Sequence, residues 1–159
     1  MASVVELPEP HLDARLFGAR RISALTDEAL FQRTGVRVAF TGRTGGESMG
    51  PFADLNLGDH VGDDSAIVAY NRKLLLEALG AADAALMTVS QVHGDDIVEV
   101  SSADARTLEK VRARALRGAD GILVDAPQVA ALLCFARIAI GSATVATSVQ
   151  SQQLESQIS

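Results

Sequence analysis

Val36-Arg37-Val38-Ala39-Phe40-Thr41 runs directly into Gly42-Arg43-Thr44-Gly45-Gly46-Glu47-Ser48-Met49-Gly50-Pro51. Apolar and polar residues alternate over the first six positions, the period of a half-buried strand. The glycine-rich run that follows reads as a loop. Its amides could approach an anion closely, and Arg43 adds a charge-assisted donor. A plain strand-connecting loop fits the same residues. No Gly-Lys-Ser/Thr follows, and the glycine spacing is not that of a dinucleotide fingerprint.

Downstream, residues 52–58 read as short and extended, with Asn56 between two leucines. The strongest helix signal comes next. Asp63 or Asp64 can cap it, Gly80 can stop it, and Ile67, Tyr70, Leu74, Leu75, Ala78 and Leu79 keep a 3.6-residue period. Residues 86–92 read as a buried strand ending at a turn, His93-Gly94-Asp95-Asp96. Ile97–Val100 reads as its continuation or hairpin partner. Residues 104–117 carry a weak apolar stripe and several arginines, predicting an exposed helix or a mobile excursion. Gly121–Val124 and 128–136 read as two more strands, the second nearly all apolar and therefore central. Residues 141–159 are mostly Ser, Thr, Gln and Ala, which offers little apolar burial against ordering entropy. That tail is expected to be loose.

Composition narrows the class. The chain has 159 residues, 48% hydrophobic and 21% charged, with 14 basic residues against 20 acidic. This fits one ordinary domain, or a domain with a tail, and excludes wholesale disorder. A net charge of −6 argues against nonspecific nucleic-acid binding. The one cysteine, Cys134, forbids an intrachain disulfide and suits a reducing compartment. Residues 129–146 fall short of the ~20 needed to span a bilayer and contain Arg137. The expectation is a cytoplasmic protein with no membrane partner.

His93 sits where a strand gives way to a glycine turn, a place where a scaffold can fix a base or a metal ligand. A merely exposed or structural histidine fits equally. His60 carries the same ambiguity, and Asn56 and Arg72 read as a backbone cap and a solvated helix face unless something draws them together. Asp63 and Asp64 read as helix caps. Three histidines and one cysteine this far apart form no familiar zinc spacing.

Taken in order, five motifs carry a specific resemblance. They are Phe40-Thr41-Gly42-Arg43-Thr44-Gly45-Gly46, Gly50-Pro51-Phe52-Ala53-Asp54-Leu55-Asn56-Leu57-Gly58, His60-Val61-Gly62-Asp63-Asp64, Asn71-Arg72 and Gln91-Val92-His93-Gly94. Over about residues 36–136 the chain resembles the laccase-domain family, formerly called multicopper polyphenol oxidoreductases. Members are described as purine nucleoside phosphorylases with adenosine deaminase activity, and one bacterial branch is known as peptidoglycan editing factor. The resemblance implies an α/β fold, a mixed-sheet sandwich with flanking helices. It implies a purine nucleoside and phosphate as partners, and one zinc, called copper in older descriptions. It makes His93 a catalytic residue and metal ligand, and Arg43, Asn56 and Arg72 substrate-binding residues.

The family continues into Ala-Asp-Cys and, later, His-Ala-Gly-Trp-Arg-Gly, whose Cys and His complete the metal site. Here Arg137 and Ile138 stand where Asp-Cys is expected, and no histidine follows His93. Cys134 is four strand positions from 138, ~13 Å, too far to replace a ligand bonded at ~2.3 Å. The expectation is therefore a family portion, 1–136, followed by a non-family tail, 137–159, from a truncated or shifted reading frame. The fold would be incomplete at its C-terminus, zinc binding doubtful and activity impaired. An open sheet edge at the apolar strand would favour self-association. Alternatives are a peptidoglycan-precursor editing hydrolase and a non-catalytic fragment. Copper oxidation of phenols ranks last, since a multicopper centre needs many histidines.

Overall fold

The computed structural model describes residues 8–135 and 142–148. Its elements run β1 (Asp13–Phe17), β2 (Ile22–Thr26), α1 (Glu28–Thr34), β3 (Val36–Thr41), α2 (Ser65–Ala78), β4 (Ala85–Thr88), β5 (Ile97–Val100), α3 (Ala105–Leu116), β6 (Gly121–Val124), β7 (Val129–Phe135) and β8 (Ser142–Ser148), with a short 3-10 turn at Gly50–Phe52. Six strands form one mixed sheet in the order β1-β2-β3-β8-β7-β4, and β5 and β6 form a second, two-stranded parallel sheet. This is the expected mixed α/β architecture with flanking helices.

Alternation along the strands sends side chains to two layers. On one face of the large sheet, Ile22, Ala24, Ala39 and Leu132 pack with Leu75 and Leu79 of α2 and with Leu55 and Leu57. On the other, Met87 and Val129 pack with Val100, Leu108 and Ala126. So α2 closes one side, and the β5-α3-β6 unit closes the other at the β7-β4 end. α1 ends the first hairpin. Its Asp27 cap accepts from Leu30, and Arg37 lies 3.8 Å from the Phe31 ring centroid while pairing with Glu28 at 3.2 Å. Burying that guanidinium is tolerable because both its charge and its flat face have partners.

Several expectations change. The helix at 65–78 is capped by Asp64, whose side chain accepts from Ala66, while Asp63 turns elsewhere. Of its expected stripe, Leu75 and Leu79 are buried and Leu74 and Ala78 pack against the core, while Tyr70 is exposed and Val68, Asn71 and Leu76 join the buried row. The strand read at 86–92 ends at Thr88. Ile97–Val100 is neither its continuation nor its hairpin partner. It pairs in parallel with β6, because α3 provides the crossover that parallel neighbours require. Residues 52–58 form no strand.

The largest change concerns the tail. Ser142–Ser148 is a strand, antiparallel to both β3 and β7. Two strands with free hydrogen-bonding edges can recruit even a polar segment, since pairing satisfies backbone groups on both sides. The edge of β7 expected to be open is therefore covered, and the edges of the large sheet are β1 and β4. The rest of 137–159 lies outside the described residues. Among the described residues no helix is long and apolar enough to cross a membrane.

Candidate functional site

Strand directions decide where the motifs meet. β8 opposes both β3 and β7, so β3 and β7 point the same way, and β4 is parallel to β7. The glycine-rich loop after β3 and the His93 loop after β4 therefore leave the same end of the sheet, along with the end of β7. Three strand spacings, about 14 Å, separate the starts of the two loops. The carboxyl end of such a sheet is where α/β proteins commonly place ligands.

The first half of the site is built around Asn71, which is fully buried. Its amide nitrogen donates to Ser48 Oγ at 2.9 Å and to the Asn56 carbonyl at 2.9 Å, with a longer contact to the Asp54 carbonyl at 3.4 Å. Its oxygen accepts from the Glu47 amide at 2.9 Å. Ser48 in turn donates to Asp63 Oδ2 at 2.6 Å, and Asn56 Nδ2 donates to the same oxygen at 3.0 Å. The Ser48 hydroxyl, then the Asn56 amide, hold the Asp63 carboxyl below the ordinary carboxylate range, against the opposing effect of burial. Asp63 is thus the anchor of a polar network, which corrects its reading as a cap.

This network binds the glycine-rich loop to the 53–58 segment. The Arg43 carbonyl accepts from Asp54 and Leu55 amides at 3.1 and 2.7 Å. A Cβ at Gly46 would run into the Asp54 carbonyl oxygen, so the close approach of the two segments requires glycine there.

Each expected substrate-binding residue has a definite place. Arg43 is exposed, with one guanidinium nitrogen on the Pro51 carbonyl at 3.3 Å. Asn56 uses its amide within the chain: Nδ2 also donates to the Gly58 carbonyl at 3.1 Å, and Oδ1 accepts from the Gly58 amide at 3.1 Å. Arg72 is not a solvated face. Its Nε donates to the Leu57 carbonyl at 2.8 Å and its guanidinium pairs with Asp59 at 3.3 Å. Cys134 contacts the same Leu57 carbonyl at 3.6 Å. Burial pushes its thiol upward, the nearby Arg72 charge opposes this, and Asp59 reinforces it. Asn56 and Arg72 thus meet around Leu57 and Gly58.

His93 stands apart from these three. It is exposed, with a left-handed φ of 60°. The Val92, His93 and Gly94 amides converge on one carboxylate, that of Asp120, at 2.9, 2.7 and 2.8 Å. Burial alone would raise that carboxyl, but the amides of Gly94, Val92 and His93 together bring it below the ordinary range. Among the described residues, no hydrogen bond reaches the His93 ring. Asn71 entered the sequence reading only within the Asn71-Arg72 motif and was given no role, and Asp120 was not singled out there. A polar residue on the apolar row of a helix was a usable signal for the first. Asp120 lies 27 residues from His93 and had none.

Among the described residues, no three His, Cys, Asp or Glu side chains gather as a metal site. Asp120 is engaged by backbone amides, Cys134 faces Leu57 and Arg72, and positions 137 and 138 lie outside the described residues. Among the described residues the donors around His93 do not complete a zinc site.

The profile of the family described as multi-copper polyphenol oxidoreductase laccase matches residues 37–137. The purine nucleoside phosphorylase YlmD of Geobacillus stearothermophilus is 42% identical over 102 residues, 64% of this chain and 37% of that protein. A purine nucleoside phosphorylase of Mycobacterium tuberculosis is 39% identical over 95 residues, 60% of this chain and 35% of that one. Among solved structures, YlmD from Geobacillus stearothermophilus superposes with a TM-score of 0.56 at 30% identity, over 83% of this chain and 52% of that one. YfiH of Bacillus licheniformis gives 0.58 at 28% identity, over 79% and 49%. The chain spans about half the length of these structures and a little over a third of the curated relatives it matches. With the matched span covering most of the chain and the fold shared, this protein belongs to the multi-copper polyphenol oxidoreductase laccase family.

Proposed function

We propose that the reaction of this site is phosphorolysis of a purine nucleoside, with adenosine, inosine or methylthioadenosine and phosphate giving base and ribose 1-phosphate. Adenosine deamination at the same pocket, in the cytoplasm, completes the reading, and this chain by itself runs both reactions weakly. One observation carries it: Arg43, Asn56, Arg72 and His93 all lie inside the 37–137 span shared with the family, and relatives over that region are named purine nucleoside phosphorylases.

The chemistry suits these residues. Phosphorolysis develops positive charge on the ribosyl carbon and negative charge on the departing purine. A cation must hold phosphate in line, and a proton donor must ease departure of the base. The exposed guanidinium of Arg43 serves the first role. The second falls to His93, whose exposed ring makes no hydrogen bond among the described residues. Arg72 supplies a fixed positive charge, held by Leu57 and Asp59. Asn56, with its amide engaged by Gly58 and Asp63, shapes the wall on which a nucleoside would rest.

The test is phosphate-dependent release of adenine from adenosine by purified chain, with circular dichroism to establish folding. Release that His93→Ala sharply lowers, without abolishing, supports the proposal, and inosine accumulation without phosphate tests deamination. A folded chain that releases no adenine overturns it for this polypeptide and leaves a non-catalytic family portion.

A further inference from the structure

We infer that Asp120 is the positioning residue for His93, an inference that deepens the proposed reaction and rests on it for its kinetic consequence. The geometry is specific. Three consecutive amides meet both oxygens of one carboxylate: Oδ1 takes Val92 and His93, Oδ2 takes Gly94. Bonds to an ionised acceptor are stronger than neutral ones. Together they hold a non-glycine residue in the left-handed region, a conformation that persists only when its surroundings enforce it.

The grip extends beyond the carboxylate. The Ala119 amide donates to the Ser90 carbonyl at 3.1 Å, and the Asp120 and Gly121 amides donate to the Asp96 carbonyl at 2.7 and 3.2 Å. Arg114 ties the two segments again, with Nη1 on the Gly118 carbonyl at 2.6 Å and Nη2 on Asp96 Oδ1 at 3.2 Å. The loop is thus fastened at both ends through backbone, while at its centre the fastening is the Asp120 side chain. No described group bonds the His93 ring, so its place is fixed through the backbone from which it departs, and that backbone is held by Asp120. The carboxylate has both oxygens engaged by three amides, so it acts through His93.

The experiment pairs amide hydrogen exchange with steady-state kinetics on Asp120→Ala, Asp120→Asn, His93→Ala and the double variant. Exchange at 92–94 should rise in Asp120→Ala, and less in Asp120→Asn, which keeps one acceptor oxygen, while Val36–Thr41 and Ser65–Ala78 stay protected. Protection unchanged at 92–94 would overturn the inference whether or not the chain has activity. Where phosphorolysis is measurable, Asp120→Ala should lower kcat by about 10²-fold with little change in KM, the scale expected when a catalytic group is displaced by about 1 Å. In the His93→Ala background the same substitution should change kcat less than about twofold, as expected when both residues act through one interaction. Equal losses with and without His93 would also overturn it. A wild-type chain without phosphorolysis defeats the proposed reaction alone, because the exchange arm still decides the positioning.

Discussion

The two halves of the site are held in opposite ways. The glycine-rich loop, the 53–58 segment and α2 are joined by a network centred on the buried Asn71 and Ser48, with Asn56 and Asp63 half-buried at its rim. The His93 loop hangs on the backbone of the α3-β6 connection and one carboxylate, with Val92, His93 and Gly94 all exposed. A buried polar network raises the penalty for losing any member, because each leaves partners unsatisfied in a medium of low dielectric constant. A surface latch exchanges easily with water. The lesson is a division of labour. One half is fixed with folding itself, and the other can open locally while the fold persists.

The largest test of this contrast is Asn71→Leu. It strands the Glu47 amide and the Asn56 carbonyl, each worth about 1–3 kcal/mol when left unpaired in the interior, and takes one donor from Ser48, which keeps its bond to Asp63, so a loss of about 2 kcal/mol or more is expected in urea unfolding. A loss under about 1 kcal/mol would mean water can replace the amide, and the network would be no firmer than the latch.

Gly118→Ala comes next. Gly118 has φ of 131°, and a Cβ there would stand 2.8 Å from Val92 Cγ1, pressing on the His93 loop. A destabilisation of about 1–3 kcal/mol is expected, with increased exchange at 92–94 but not at 45–48. Loosening of both regions would break the distinction.

Acid should separate the halves more gently. Asp104 caps α3, and its carboxyl is lowered to about 2, chiefly by the Ser102 hydroxyl and then by Thr107. Its folded value lies below the unfolded ~3.9, so its contribution is complete above about pH 4 and is lost as pH falls toward 2. Asp63 is lowered as well and loses its contribution in the same direction. Amide chemical shifts at Thr107 and at Asp64 over pH 5 to 2 check both, and Asp104→Ala should abolish the first dependence while leaving the second.

The smallest effect concerns Cys134. With its thiol raised by burial, it should alkylate more slowly at pH 7.5 than a free cysteine peptide, and Arg72→Ala should change that rate modestly by opening the Leu57 wall. Mass spectrometry of timed iodoacetamide reactions reads this out. A rate equal to the peptide's would place Cys134 outside the wall.

Much of the fold was legible because it is local. The alternation at Val36–Thr41, the acidic start before Ser65 and the apolar run of β7 each express a periodicity or a cap that neighbouring residues impose. Pairing was not legible. Nothing in Ile97–Val100 says that its partner is β6, since that choice follows from the crossover through α3. β8 escaped for the same reason: Ser-Ala-Thr-Val-Ala-Thr-Ser has little apolar content, and its order comes from the two edges that flank it.

The sequence by itself carried the family motifs, the acidic pair from which the α2 cap comes and, through the resemblance, the four candidate residues, because residue type and order are written along the chain. Only the tertiary structure decided what those residues do for one another. It placed Asn71 inside, turned Asp63 from cap to anchor, brought Arg72 onto Leu57 and set Asp120 beneath His93. A hydrogen bond between residues 27 positions apart leaves no local trace, since its partners are selected by how strands and helices stack.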